Sequence, residues 1–375
     1  MEQEPSSPAG STRRTYLRSI GTATLAGIAV PGVAGCLERL GFEERSAWAD
    51  PPLVEDRPDA VYVPAAAEEM GAYGAGHDGD WGVALSYTFP HRFWTVAGTE
   101  RRRVTVEPAD SLHLMVDTWD LETGTVLPVD SHLTLARDGE TVVDRRLWPM
   151  LSQRMGFHYG DNVRLPGEGE YVAEIRVGPL QAETHGDFDG RLNAPATVEI
   201  PFAYDRAAVL DLELERIPTD RRGSRDALPL MHDAGGDRDE HGSTHPPSSR
   251  AVPVEDLPGS VILEERTGDA RLVATMVSAD RFSDGTYLAV SPRTPYNDVV
   301  LPFTGISGSI TGSTDTDLAF VESLDHELGH HYGTTVPSIE PGDSLELVVE
   351  PPPQVSRHDG YETAFFEFEP VSRTI

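Results

Sequence analysis

Apolar and polar residues alternate with period two through most of the stretch from Trp81 to Asp205. Val83 to Phe89, Arg103 to Val106, Leu112 to Val116, Leu133 to Ala136, Tyr171 to Val177 and Thr197 to Tyr204 each follow this pattern and end in turn-forming residues. Successive side chains of a strand point to opposite faces, so the pattern predicts half-buried β-strands. Several short strands with Gly and Pro turns in one stretch predict an immunoglobulin-like sandwich. The alternation resumes in Leu272 to Val277, Thr286 to Val290, Leu345 to Val349 and Ala364 to Phe368. The expected fold is therefore all-β: two immunoglobulin-like β-sandwich domains, residues 81–207 and 259–375, joined by a flexible acidic linker over 208–258. Residues 37–80 are acidic, rich in Ala, Gly and Pro, and read as a tether.

The two sandwiches match each other at a fixed spacing, which makes the second a degenerate repeat of the first. Gly156-Phe157-His158-Tyr159-Gly160 is followed 27 residues after its histidine by His185, and Gly329-His330-His331-Tyr332-Gly333 is followed 27 residues after His331 by His358. Upstream, His113-Leu114 with Val126-Leu127-Pro128 lines up with Tyr287-Leu288 and Val300-Leu301-Pro302. A repeat well over a hundred residues long implies two copies of one domain.

Charge and ends narrow the function. The formal net charge is −32, and all 30 basic residues are arginine. Such an acidic excess reads as a halophile-type solvating surface or as a cation-collecting one, and it excludes a nucleic-acid partner, which needs a basic stripe. Thr12-Arg13-Arg14-Thr15-Tyr16-Leu17-Arg18, the short apolar run Leu25 to Val33 and the lipobox-like Val33-Ala34-Gly35-Cys36 make residues 1–36 a twin-arginine signal with Cys36 as the lipidated residue. The expected location is the outer face of the cell membrane, held by a lipid anchor. Cys36 is the single cysteine, so disulfides, zinc-thiolate clusters and cysteine nucleophiles are excluded within the chain.

Candidate chemistry lies in the histidines and methionines. His113, Met115 and Asp117 share one face of a predicted strand, Met150 precedes His158, and His185 sits in the loop before the last strand of the first sandwich. Imidazole nitrogen and thioether sulfur suit copper, above all Cu(I), whereas added carboxylate oxygen suits ferrous iron or manganese. The bland alternative makes the methionines core filler and the histidines hydrogen-bonded structural residues. Recurrence of His158 and His185 at equal spacing in the second copy favours those two as ligands.

Trp148-Pro149-Met150-Leu151 running into His158-Tyr159-Gly160-Asp161-Asn162-Val163, then Leu165-Pro166-Gly167-Glu168-Gly169-Glu170-Tyr171, resembles the periplasmic metal-binding proteins that accompany ferrous-iron permeases. The resemblance spans about residues 80–205 and implies an immunoglobulin-like sandwich that binds copper and iron and often forms a homodimer. It also implies His113, Met150, His158 and His185 as the ligand set. Where that family commonly carries a glutamate two residues after the strand histidine, this chain has Met115, which tilts the site toward softer ions.

In the second copy the methionine position becomes Ser323 and the strand histidine becomes Tyr287. It reads as a degenerate structural copy or as a harder site drawn from His326, Glu327, His330, His331, His358 and Asp359. His326-Glu327-Leu328-Gly329-His330 is also a literal H-E-x-x-H, and with the helical apolar stripe Leu318, Val321, Leu324, Leu328 it raises a surface zinc metallopeptidase. Val336-Pro337 stands where one protease family would continue to a third histidine, and no G-x-S-x-G elbow marks a serine nucleophile. Met231, His232, His241 and His245 lie in the linker as plain disordered residues or as a weak ion collector. The function expected is an exported, lipid-anchored binding protein for a copper or iron ion that assists uptake through an iron permease. Its rivals are the peptidase and a structural or partner-binding sandwich lipoprotein.

Overall fold

The computed structural model describes residues 51–231, 246–282, 285–313, 315–336 and 339–375. Arg13, Arg14, Cys36, His232, His241 and His245 lie outside the described residues. The first half forms β1 (Ala66–Glu68), β2 (Gly71–Asp78), β3 (Trp81–Thr88), β4 (Phe93–Ala97), β5 (Glu100–Val104), β6 (Leu112–Asp120) and β7 (Ser131–Arg137). It continues with β8 (Glu140–Arg146), β9 (Trp148–Ser152), β10 (Gly156–Val163), β11 (Gly169–Val177), β12 (Glu183–His185), β13 (Ala196–Tyr204), helix α1 (Arg206–Asp211) and β14 (Leu214–Arg216). The second half forms β15 (Ser260–Thr267), β16 (Ala270–Val277), β17 (Thr286–Arg293), β18 (Ile306–Thr311) and β19 (Thr316–Ala319). Then come β20 (Val321–Asp325), β21 (Gly329–Val336), β22 (Ser344–Val349), β23 (Ser356–Arg357) and β24 (Val371–Thr374).

Two β-sandwiches result, as the alternation predicts. In the first, the sheet ordered β2-β3-β6-β10-β9-β23-β4-β5 faces the sheet β13-β11-β7-β8. Leu112, Leu114 and Val116 of β6 meet Leu133, Leu135, Ala173, Ile175, Val198 and Ile200 across that core. In the second, β12-β20-β21-β17-β16-β15 faces β19-β18-β22-β24, with Leu272, Leu288, Val290 and Tyr332 against Ile306, Ile310, Leu345 and Leu347.

The halves are not separate bodies on a mobile joint. β23, from the second half, pairs parallel with β9 and antiparallel with β4 inside the first half's sheet, while β12, from the first half, pairs parallel with β20. The two crossings share one register: Ser356 opposes Met150 and Arg357 opposes Leu151, as Glu183 opposes Ser323 and Thr184 opposes Leu324. Prolines explain why the chain leaves its own sheet at both places. β11 stops at Val177 before Gly178-Pro179 and β22 at Val349 before Glu350-Pro351-Pro352-Pro353, and a residue without an N–H cannot extend a ladder.

Side chains anchor the β23 crossing. Arg357 is fully buried, donates to the carbonyls of Val355 and Pro353, and lies over the rings of Phe365 and Phe366 at 5.5 and 5.9 Å. Burial lowers its pKa to about 9. Tyr361, Ala364 and Phe365 then join the first core through a turn, where the apolar pattern had predicted a strand over Ala364 to Phe368. Alternation cannot tell a strand from a turn that plugs a neighbouring core.

Two segments expected to be flexible are folded over their described residues, 51–80 and 208–231 with 246–258. Of the tether, Ala60 to Val63 are buried, the Tyr62 hydroxyl donates to Glu362 Oε1 at 2.6 Å, and β2 is a sheet strand. Of the linker, β14 pairs with β1, and Leu228 and Leu230 are buried. The Leu228 N–H donates to Gln153 Oε1 at 2.8 Å, and Ser249 Oγ accepts from the Phe157 N–H at 2.8 Å. Their few apolar residues dock singly on an existing surface, so composition hides them.

Because one sheet of each sandwich is completed by the other half, heat or denaturant is expected to unfold the described body in a single transition. Calorimetry with near-ultraviolet circular dichroism checks this, and two resolved transitions would show independent halves. Arg357→Ala removes a buried cation from its carbonyl and aromatic cradle and is expected to cost about 3 kcal/mol in that same transition.

Candidate metal centre

The same alternation that fills the first core leaves a polar set on the outer face of its eight-stranded sheet. Leu114, Leu151, Phe157 and Tyr159 point into the core, so His113, Met115, Asp117, Met150, His158 and Gly160 point away from it. β6, β10 and β9 are neighbours, with Met150 opposite His158, Met115 opposite Gly160 and Asn162 opposite His113. That face is not open to water: His113 and Met150 are fully buried, and His158 nearly so. A side chain at position 160 would put its Cβ 2.7 Å from His113 Nε2 and 3.1 Å from Met150 Sδ. Gly160 therefore keeps a hollow between those two donors.

Two further histidines close over the hollow. His91 lies between β3 and β4, and His358 follows β23, so the second half delivers it into the first half's site. Ring nitrogens of His91, His113 and His358 lie within 4.8 Å of one another. The His358 ring centroid is 4.8, 5.9 and 5.4 Å from those of His91, His113 and His158. His358 Nε2 is 3.4 Å from Met150 Sδ, and its Nδ1 is 3.2 Å from His91 Nε2.

Hydrogen bonds on the far side of each ring fix what faces inward. His91 Nδ1 is 3.2 Å from the Phe89 carbonyl, His158 Nδ1 is 3.2 Å from the Gly156 carbonyl, and His113 Nδ1 is 2.9 Å from Asn162 Oδ1. Asn162 is oriented in turn, because its Nδ2 donates to the His91 carbonyl at 2.9 Å. A carbonyl oxygen only accepts, so these three Nδ1 atoms carry the protons and the three Nε2 atoms are acceptors, that of His91 meeting His358 Nδ1 at 3.2 Å. His113 Nε2 and His158 Nε2 have no hydrogen-bond partner among the described residues. His113 Nε2 and His158 Nε2 are thus buried acceptors with no donor among the described residues; His113 belongs to the tight group with His91 and His358, and His158 stands at its edge, opposite Met150 and 5.4 Å ring to ring from His358. Ligating histidines that donate their other N–H to a carbonyl show this arrangement.

Burial keeps the rings neutral. It lowers the pKa of His91 and of His158 to about 4, and it holds His113 and His358 well below the ordinary value, with the neighbouring imidazoles adding to the effect. Beside the cluster a cavity of about 50 Å³ is lined by Met70, Met115, Met155, His91, His358 and Asp359 among others. Asp359 is paired with Arg92 at 3.0 and 2.5 Å. Met115 thus borders the site through this cavity. Asp117 is buried with Oδ2 unpartnered among the described residues, and burial raises its pKa to about 7; it is not one of the groups gathered at His91, His113 and His358.

Of the six residues singled out in the first copy, His113 and Met150 flank Gly160 and His158 lies opposite Met150 on the neighbouring strand, whereas His185 does not join them. β12 carries His185 across to the second half, where its Nε2 is 3.3 Å from the Tyr287 hydroxyl and its ring packs on Phe282. The reciprocal crossing corrects the second group in the same way. His331 stays beside Tyr287 at 3.1 Å, but its expected neighbour His358 is in the first half's site. His330 points to the opposite face of β21, 2.7 Å from Glu322, and His326 sits in the turn between β20 and β21. The H-E-x-x-H segment is therefore a hairpin and not a helix. Asp325 Oδ1 accepts from the N–H groups of Glu327 and Leu328, Arg281 pairs with Asp325 and Glu327, and Gly329 turns the chain at φ +66°. Its two histidines share no face, so the zinc-peptidase geometry is absent from this segment. Sequence reasoning missed His91 because no repeat partner and no family position marks it.

Fold and site together can be set against known proteins. Residues 121–205 match the family described as Fe2+ transport protein. The match takes in Met150, His158 and His185 and begins after His113. Residues 255–374 match a family described as a domain of unknown function, DUF7350. No curated protein matches the chain. Among solved structures, FetP of uropathogenic E. coli is 21% identical over 36% of this chain and 96% of its own, with a TM-score of 0.29. A copper-bound variant of the same FetP is 22% identical over 36% and 97%, at 0.29. A copper-bound variant of Campylobacter jejuni P19 is 16% identical over 36% and 96%, at 0.26.

In the metal-free protein the ring-proton shifts of His91 and His158 are expected to stay flat from pH 8 to about 5 and to titrate near pH 4. By linkage, a histidine whose folded pKa is lowered contributes stability that is complete above its unfolded pKa near 6.5 and is lost as the pH falls toward 4. Asp117 contributes with the opposite sign, so NMR midpoints isolate the imidazoles better than a stability curve does. Midpoints near 6.5 would show a cluster open to water.

Proposed function

We propose that this protein binds a single transition-metal ion, copper or ferrous iron, through donors drawn from His91, His113, Met150, His158 and His358. The carrying observation is the set of buried inward lone pairs: His113 Nε2 and His158 Nε2 lack hydrogen-bond partners among the described residues beside Met150 Sδ, over a hollow kept by Gly160. Leaving buried acceptors unmet costs about 1–3 kcal/mol each, a cost that a bound cation removes. Imidazole with thioether favours Cu(I), and Met115 at the rim in place of a carboxylate leans the same way. Neutral imidazoles also spare the ion competition with protons near neutral pH.

The match of residues 121–205 to a family described as Fe2+ transport protein supports a role in iron uptake beside an iron permease. Residues 1–36 support export by the twin-arginine route and lipid attachment at Cys36, on the outer face of the membrane. Among the described residues no helix is long and apolar enough to cross a membrane. The repeats at residues 81–207 and 259–375 act as two copies fused in one chain. The second copy lends His358 from within, so a homodimer is not required for the donor set.

His158→Ala and His358→Ala are each expected to weaken Cu(I) binding more than about tenfold, which is 1.4 kcal/mol or more. His185→Ala is expected to leave it within about twofold. Titration against a chromophoric Cu(I) chelator checks all three, and full affinity in His358→Ala would refute the site. Met115→Glu is expected to weaken Cu(I) relative to Fe(II), read in parallel titrations of both ions. An equal effect on both would make Met115 a packing residue.

A further inference from the structure

The second half holds, at the position equivalent to the first site, a cluster whose pairing register repeats it. Ser323 opposes His331 as Met150 opposes His158; Ala289 opposes Gly333 as Met115 opposes Gly160; Thr335 opposes Tyr287 as Asn162 opposes His113. His185 arrives from the other half through β12, as His358 arrives in the first site through β23. So the locus retains two histidines, one from each half, over a retained glycine.

What differs is the occupant of the hollow. A Cβ on Gly333 would lie 1.6 Å from the Tyr287 hydroxyl, so that hydroxyl sits in the space that Gly160 leaves clear between His113 and Met150. It is 3.1 Å from His331 Nε2 and 3.3 Å from His185 Nε2. His331 Nδ1 is 3.0 Å from the Gly329 carbonyl, so Nδ1 carries the proton and Nε2 accepts from the tyrosine. The tyrosine oxygen is then left to accept from His185. Unlike His113 and His158, His331 has its Nε2 partnered, and nothing there is left waiting for a cation. The ring holding the hydroxyl stacks on Phe282 at 4.1 Å and 9°, which fixes it in place. Burial raises the Tyr287 pKa to about 12, so the group remains a proton donor instead of an anionic ligand.

We propose that the second locus is a copy of the metal site closed from within by the Tyr287 hydroxyl, so that the fused pair takes one soft ion and not two. The closure removes the strand imidazole and, through Ser323, the thioether, while the hydroxyl satisfies the two histidines that remain. Ser323 Oγ donates to the Val321 carbonyl at 2.9 Å and also stands within hydrogen-bonding reach of the Tyr287 hydroxyl, so it adds a further partner to that group instead of a thioether. The proposal rests on the first site's reading for its ion class, and the experiment tells failure of that reading apart from failure of the closure.

Anaerobic Cu(I) titration of the full chain, with a chelator as competitor, is the experiment. Wild type is expected to take one equivalent and His331→Ala to take the same. The double variant Tyr287→His with Ser323→Met is expected to take two, and to take one when His158→Ala is added. A wild type that takes two, losing one in His331→Ala, would overturn the closure, as would a folded double variant that gains nothing over wild type. If the double variant does not fold, by circular dichroism, the His331→Ala count decides. A wild type that takes none refutes the first site's reading alone, and the closure then stands or falls on whether the double variant gains an equivalent.

Discussion

Reciprocal exchange of two short strands, β12 and β23, is the constraint on which the rest of this molecule depends. Neither strand is long enough to hold by its ladder: β12 spans three residues and β23 two, and each backbone hydrogen bond contributes about 1 kcal/mol net. Burial does more. Tyr361 and Phe365 pack in the first core at about 1.5–3 kcal/mol each, and Arg357 lies fully buried among carbonyls and aromatic faces. Packing therefore fixes where His358 stands, and the ladder only sets its register.

The first site's electrostatics follow from that placement. Covering the outer face of a sheet with a second body takes water away from several imidazoles at once, and each responds by remaining neutral. Their outward N–H groups are tied to Phe89, Gly156 and Asn162, which leaves the inward lone pairs preorganised. The second locus obeys the same physics and reaches the opposite state, because one phenol meets two imidazoles that would otherwise face an empty hollow.

The sequence made the sandwiches legible because alternation reports which face of a strand is buried, and β7, β11 and β13 alternate cleanly. His113, Met150 and His158 were legible for the same reason, reinforced by the repeat and the family pattern. Spacing alone places His185 and His358 each in its own half, whereas each lies in the other's. Equal spacing states that two residues occupy equivalent positions, but it is silent on whether each completes its own copy or the other. His91 has no partner in the repeat, and its role exists only once Asn162 and His358 are beside it. The H-E-x-x-H segment misleads because Leu318, Val321 and Leu324 at helical spacing also fit two short strands and Leu328 the turn that follows, and Asp325 with Gly329 decides for the hairpin.

Gathering donors from residue 91 to residue 358 also sets an order of events. A chain still emerging from synthesis, with its first half folded and its second half not yet made, holds His113, Met150 and His158 on an exposed sheet face without His358 or the cover that dries them. Weak ligands in water discriminate poorly among ions, so selectivity arrives only with the last turn of the fold. Metal choice is in that sense a property of the finished molecule, and whichever compartment the chain finishes folding in decides which ions it first encounters.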